Sequence, residues 1–197
     1  KKGEDTSKEK VLLKKRHTCT ANVIGVLAVL GKEKVKVYKF TCIAILYTGN
    51  EVVNIGSSVL PHQIRDSNSH PLKGFLMNYK INVHRSLLVK DAHDRINTAL
   101  RSDIDSDIIL ISGGVSMGEA DFVPACLESC KFTNIFHKVT IKPGKPLWFG
   151  KSPNKGVVFG LPGNPMSCQV AFKVFIEPYL RKCFSMEPLQ VMKLPLN

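Results

Sequence analysis

The sequence predicts an α/β protein: three layers, α/β/α, around a mostly parallel sheet. Three observations lead there. Short apolar runs at 42–46, 83–89, 108–111 and 157–159 are nearly continuous rather than alternating, as strands covered on both faces are. Segments with helical spacing separate them, the order expected of a parallel sheet wound with helices. Each run is also followed by a polar turn, and α/β sheets take their ligands outside the carboxyl ends of the strands.

Residues 1–17 are polar and basic apart from Val11-Leu12-Leu13. Thr20 is placed as the N-cap of an amphipathic helix with Val23, Ile24, Leu27 and Leu30 on one face, and Gly31 ends it. A strand over 42–46 comes next, then a helix after Asp66-Ser67-Asn68-Ser69 carrying Leu72, Phe75, Leu76 and Tyr79. The strand 83–89, a helix around 94–100 and the strand 108–111 follow. A helix at 122–130 precedes two further strands, 136–141 and 157–159. Pro165 or Met166 opens a long apolar helix reaching about Arg181, and the rest of the chain reads as a linker without a clear period.

The 197 residues are enough to bury a full core, and no apolar run approaches the roughly 20 residues of a membrane span. The first residues show no apolar signal region and no initiator Met, so a chain cut from a longer one and a cytoplasmic location are expected. The net charge of +12 raises the question of nucleic acid. The basic residues concentrate in the first 40 positions without interleaved aromatics or helix-turn-helix or finger spacing, so a solvated basic face is expected and no nucleic-acid partner. Six scattered cysteines, mostly among apolar neighbours, read as buried free thiols. Cys126 and Cys130 lie one helical turn apart, but no second Cys or His pair completes a zinc site.

The turns carry the chemistry. Ser112-Gly113-Gly114-Val115-Ser116-Met117-Gly118-Glu119-Ala120-Asp121 follows a buried strand directly. Its glycines admit positive φ and close approach to phosphate oxygens, and the helix that follows presents its positive end. Two carboxylates beside such a loop would repel a phosphate unless a divalent cation sat between them, and Mg²⁺ favours that mixture of oxygens. Thr48-Gly49-Asn50-Glu51 taken alone is a turn with an exposed Glu, although Glu51 could orient a metal-bound water. Gln63 to Ser69 by itself is a helix cap, and Asp91 is another carboxylate at the same edge. In Lys142-Pro143-Gly144-Lys145-Pro146 two prolines stiffen a loop bearing two lysines, which suits a fixed oxyanion. In Pro162-Gly163-Asn164-Pro165-Met166-Ser167 a strand turns into a helix with Pro in the first turn and exposed N–H groups beside Ser167.

In this order the motifs at 48–51, 63–68, 112–122, 142–146 and 160–165 resemble the molybdopterin molybdotransferase family, bacterial and gephyrin-like. The resemblance implies that 40–180 is a molybdopterin-binding α/β domain, that 1–39 is the remnant of a preceding domain and linker helix, and that 181–197 begins a truncated C-terminal domain. It implies a transferase of molybdenum cofactor biosynthesis, which inserts molybdenum from molybdate into adenylylated molybdopterin (molybdopterin-AMP) with Mg²⁺-dependent release of AMP. Glu51, Asp91, Asp121 and Asp5 match acidic positions that the family uses in catalysis, with Asp121 and Glu51 assigned to Mg²⁺ and water. Lys142 and Lys145 would bind molybdate together with Pro143, Gly144 and Pro146. Thr48, Gly49, Asn50, Asp66, Ser67 and Asn68 would line the substrate site, as would Ser112, Gly113, Gly114, Val115, Ser116, Gly118 and Glu119. Pro162, Gly163, Asn164, Pro165 and Ser167 complete it.

The family acts as a homodimer in which a neighbouring subunit and an arginine of the fourth domain complete the site. Most of the first domain, the second and most of the fourth are missing from this sequence. His62 stands where the family usually has Gly, and Tyr47 where it usually has a small residue. Two alternatives are an adenylyltransferase acting on molybdopterin and a catalytically silent, gephyrin-like scaffold. The first usually carries Gly-Gly-Thr-Gly followed by Arg-Asp, and this loop differs.

Overall fold

A computed structural model describes residues 7, 9–15, 17–39, 41–116 and 121–189. The chain divides into two units, Lys1–Lys39 and Phe40–Asn197.

In the first unit, helix α1 (Ala21–Val29) starts where Thr20 accepts a hydrogen bond from the Val23 N–H. It ends in a Schellman motif: Gly31, at φ +66°, donates to Ala28 O at 2.9 Å and Lys32 to Leu27 O at 2.9 Å. The caps are as expected, but the amphipathic face is not. Val23 is buried, whereas Ile24 and Leu30 are exposed. Residues 21–29 carry no charged side chain, so their apolar positions go all round the helix and define no single face.

The second unit holds a six-stranded sheet. Strands β1 (Ile43–Thr48), β4 (Val83–Val89), β5 (Ile108–Ser112) and β8 (Val157–Leu161) run parallel, and β7 (Trp148–Lys151) and β6 (Thr133–His137) add an antiparallel edge. The order across the sheet is β4-β1-β5-β8-β7-β6. A separate two-stranded ribbon pairs β2 (Val52–Val53) with β3 (Ile64–Arg65). Helix α2 (Ser69–Met77) connects β3 to β4, α3 (His93–Ser102) connects β4 to β5, and α4 (Val123–Ser129) precedes β6.

Alternate strand residues supply the two helix-facing layers, as the period of two requires. Ile43, Ile45 and Tyr47 of β1 join Leu110 and Phe159 against α2 and the C-terminal helices. Leu46, Ile109 and Ile111 point the other way, against Ile96 and Leu100 of α3 and Val123 and Leu127 of α4. The C-terminal helical run is α5 (Pro165–Ala171), a π-helical stretch (Phe172–Ile176) and α6 (Glu177–Cys183). The expected long helix is thus interrupted. Pro178 has no N–H for the Val174 carbonyl and its ring crowds that turn, so the backbone widens just ahead of it.

The strand expected at 136–141 lies instead at Thr133–His137, paired with β7, which periodicity does not reveal. Lys138 adopts φ +73° and ends the strand, and the following loop contains a cis Lys142–Pro143 bond. Gly150 in β7 lies against β6 so closely that a Cβ there would stand 2.3 Å from Thr133 O. The expectation of buried thiols holds for Cys126, Cys130 and Cys168. Cys19 and Cys183 are exposed, because each lies at a helix terminus where little chain packs around it, Cys42 is half-buried just before β1, and all six cysteines are free.

Candidate functional site

From β1 the chain crosses to β4 on one side and then returns to β5 on the other. The carboxyl ends of β1 and β5 therefore form a topological switch point, where α/β sheets open a crevice. Thr48 closes β1 and Ser112 closes β5. Gly113 (φ +94°) and Gly114 (φ +62°) follow, and a Cβ on Gly113 would stand 2.6 Å from Thr48 O. Only residues without a side chain let these two strand ends approach so closely.

Hydrogen bonds tie the separate loops together. The Asn68 amide donates to Ser112 Oγ at 2.8 Å and to Gly163 O at 2.7 Å, joining the turns after β3, β5 and β8. The Gly113 N–H donates to Leu161 O at 3.1 Å. Asn164 caps α5 by accepting from the Ser167 N–H at 3.1 Å, with Pro165 in the first turn. Asp66 caps α2: its carboxylate accepts from the N–H groups of Asn68 and Ser69, each at 3.0 Å, and from the Ser69 hydroxyl. His137, which the sequence did not single out, places Nε2 2.9 Å from Val115 O and so tethers the glycine loop to β6.

These loops surround one cavity of about 500 Å³. Thr48, Gly49 and Glu51 line it after β1, as do Asp66, Ser67 and Asn68 from the second motif and Asp91 after β4. Ser112, Gly113, Gly114, Val115, Ser116 and Asp121 line it from the third motif, Pro146 from the fourth, and Pro162, Gly163, Asn164 and Pro165 from the fifth. The Asn68 side-chain oxygen is buried here with no hydrogen-bond partner among the described residues, which leaves an acceptor available for a guest.

Other expected residues stand back from the wall. Asn50 faces the next loop: its N–H donates to Asp91 Oδ2 at 3.0 Å, and its Oδ1 accepts from the Asp91 N–H at 3.2 Å. Lys142, Pro143 and Lys145 are exposed beyond Pro146. Gly144 is buried at φ +116° against Ile141, and Ser167 is buried behind its Asn164 cap. Gly118, Glu119 and Asp5 lie outside the described residues.

The cavity adds Tyr47, Val52, Ile64 and Arg65. Tyr47 stood out in the sequence only as a departure from the family, not as a site residue, because the strand was expected to stop at Leu46; it reaches Asn54 Oδ1 at 3.1 Å. Arg65 lies inside a recognised motif, yet its guanidinium is engaged with Ile55 O at 3.0 Å and Ser57 O at 3.4 Å. The loop between β2 and β3 is thereby drawn back onto its own ribbon.

Four carboxylates line the cavity with different exposure: Glu51 is exposed, Asp91 and Asp121 are half-buried, and Asp66 is buried in its helix cap. Burial raises the Asp91 pKa above its ordinary value, and the charges of Glu51 and Asp121 add to that. The Asn50 N–H and the Thr48 hydroxyl oppose it. Among the described residues no three His, Cys, Asp or Glu side chains form a metal cage. The arrangement suits a cation of the Mg²⁺ kind, which takes one or two carboxylates and completes its shell with water and substrate phosphates. The mutual repulsion of the acids is an electrostatic reason for a cation to be favourable there.

Residues 44–182 match the family described as "Probable molybdopterin binding domain". The chain is 38% identical over 181 residues to the molybdopterin molybdenumtransferase of Haemophilus influenzae, covering 91% of this chain and 44% of that protein. It is 30% identical over 198 residues to the Staphylococcus aureus protein of the same name, covering 99% and 47%. The chain thus spans about half the length of these curated relatives. Among solved structures, the molybdopterin biosynthesis MoeA protein from Pyrococcus horikosii superposes with a TM-score of 0.77 at 28% identity, over 92% of this chain and 45% of that one. Molybdenum cofactor biosynthesis protein B shares the fold, with a TM-score of 0.58 at 17% identity over 76% of this chain and 97% of its own. By its sequence and by the loops gathered at its switch point, the chain belongs to the molybdopterin-binding domain family.

Proposed function

We propose that this chain is the substrate-binding and catalytic part of a molybdopterin molybdotransferase, which inserts molybdenum from molybdate into adenylylated molybdopterin and releases AMP. The observation that carries the reading is the convergence of five separated motifs on one cavity at the carboxyl ends of β1, β5 and β8. Its relatives' names support the same activity.

The glycine loop at 114–116 and the start of α5 at Asn164 would present backbone N–H groups to the phosphates of the nucleotide and pterin. Asn68 offers an acceptor at the same wall, and Thr48 and Ser112 offer hydroxyls. Asp121 and Glu51 would hold Mg²⁺, which would neutralise the phosphate oxygens and make water a better nucleophile for cleavage of the pyrophosphate. Asp91 supports them, and it is a carboxylate that burial and its neighbours already incline to keep a proton. Lys142 and Lys145 give the cavity's outer rim positive charge next to Pro146, which offsets the repulsion between molybdate and an anionic pterin. In this reading molybdenum passes to the substrate's own dithiolene sulfurs, and no protein thiol is required. Glu119 and Gly118 belong to the same proposed site, and residues 181–197 lead into a further domain. The reading also makes the protein a cytoplasmic homodimer acting on small molecules. Among the described residues no helix is long and apolar enough to cross a membrane.

Calorimetric titration of AMP with and without Mg²⁺ tests the assignment. Wild type should bind AMP more tightly with Mg²⁺, and Asp121→Ala should lose that increment. If Asp121→Ala responds to AMP and Mg²⁺ as wild type does, the metal assignment fails.

A further inference from the structure

At the opposite end of β1 lies a second cluster of chemically capable side chains. Cys42 Sγ is 3.2 Å from His84 Nδ1, and His84 Nε2 is 3.5 Å from Asp103 Oδ1. The Cys42 backbone is clamped beneath this contact: its N–H donates to Asp107 Oδ2 at 2.8 Å, and its carbonyl accepts from Asp107 N at 2.9 Å. Asp103 is buried, and its Oδ2 has no hydrogen-bond partner among the described residues. Its Oδ1 is shared with Arg85 Nη1 at 3.4 Å.

The backbone explains how His84 reaches this place. In the β1–β4 ladder Ile43 pairs with Val83 and Ala44 pairs with Arg85, so His84 is the extra residue of a β-bulge on the edge strand. Bulges re-aim side chains in this way. Without it, the side chain would follow the regular alternation of β4.

The geometry points to Cys42 as a nucleophilic thiol that exchanges with low-molecular-weight disulfides, with the His84 Nδ1–H as the donor that stabilises the attacking thiolate and Asp103 as the group that positions the imidazole. The thiol sulfur attacks one sulfur of the disulfide, forming a mixed disulfide and breaking the original S–S bond. The thiol proton is lost to water and the departing thiolate takes one up from water, so the disulfide is the only co-reactant besides solvent. Ile43 O, a carbonyl that can only accept, lies 2.9 Å from Nδ1, so that nitrogen carries a hydrogen, which it shares with the Cys42 sulfur, while Asp103 Oδ1 faces Nε2. The imidazole lies between the thiol and the carboxylate, and the three groups form no metal cage. Asp107 and Arg85 are the other charged groups facing the cluster. Burial pushes the pKa of the Cys126 and Cys168 thiols up to about 11, which keeps both in the unreactive thiol form.

The test uses the whole chain and oxidised glutathione, with adducts located by peptide mass mapping over time. Cys19 and Cys183 are exposed and serve as internal references, whereas Cys42 is half-buried. Cys42 should nevertheless form its adduct faster than either. Adduct formation on Cys42 slower than on both references would overturn the proposal, whatever the behaviour of the variants. In chains that also carry Cys19→Ser and Cys183→Ser, His84→Ala should slow the reaction on the order of tenfold or more. Added imidazole should restore part of the rate, which a merely structural role for His84 would not allow. Asp103→Asn should slow it less. An unchanged rate in folded His84→Ala would also overturn the assignment.

Discussion

Gly113→Ala tests the close approach on which the cavity depends. The residue sits at φ +94°, where an L side chain is strained, and its new Cβ would meet Thr48 O at 2.6 Å and Thr48 Oγ1 at 3.0 Å. Neither oxygen can retreat easily, since Thr48 is the buried last residue of β1 and is held between β4 and β5. Backbone strain of this kind costs about 1–3 kcal/mol. Forcing the strand ends apart adds about the same again, as overpacking does. The expected loss is about 2–5 kcal/mol, which corresponds to a fall in Tm on the order of 10 °C for a domain of this size.

Urea and thermal unfolding followed by circular dichroism would measure the loss. Gly74→Ala is the matched control, since Gly74 lies within α2 with nothing within 4 Å of a new Cβ. It should stabilise by about 0.5–1 kcal/mol through helix propensity. AMP binding should weaken in Gly113→Ala and stay unchanged in the control. If Gly113→Ala unfolds within about 0.5 kcal/mol of wild type, the strand ends do not need a glycine and the account of the switch point is wrong.

Further outcomes follow from the same packing. Asn68→Ala removes the bonds to Ser112 and Gly163 and should cost about 1–3 kcal/mol in urea unfolding, with a loss of AMP affinity; unchanged affinity would show that the three turns hold their places without it. Phe172→Ala, at a fully buried position stacked on Phe75, should destabilise by about 3–5 kcal/mol. A loss below about 1 kcal/mol would contradict its place in the core. Asp91 keeps its proton to higher pH in the folded chain than its ordinary 3.8, so its contribution to stability is lost as pH rises from that value through the raised one. Asp91→Asn should flatten the pH profile of stability in that window, and an unaltered profile would count against the burial described. Glu177 behaves oppositely. Burial would raise it, but the Tyr79 hydroxyl, Lys173 and Arg181 outweigh that and hold it below 4.5. Its contribution is present above 4.5 and disappears as pH falls through the lowered value, so Tyr79→Phe should reduce the acid sensitivity measured by urea unfolding.

The sequence by itself determined the layers and most of the element order. Continuous apolar strands such as Ile108–Ile111 and caps such as Thr20 and Asn164 are local features, because burial on both faces and helix-end hydrogen bonding act over a few residues. The five motifs were legible for the same reason, since glycines and prolines mark the turns. The limits were local as well. Trp148–Lys151 is too short for a period, and α1 has no charged positions to give it a face. Tertiary structure alone decided the rest. Strand order placed Thr48 beside Gly113 and let Asn68 join turns 95 residues apart, at Gly163. It also set Tyr47 and Val52 in the wall, kept Lys142 and Lys145 out of it, and joined Cys42 to His84 through a bulge 42 residues away. These meetings depend on which strands pair and in what register, and that is settled by packing between segments remote in the chain.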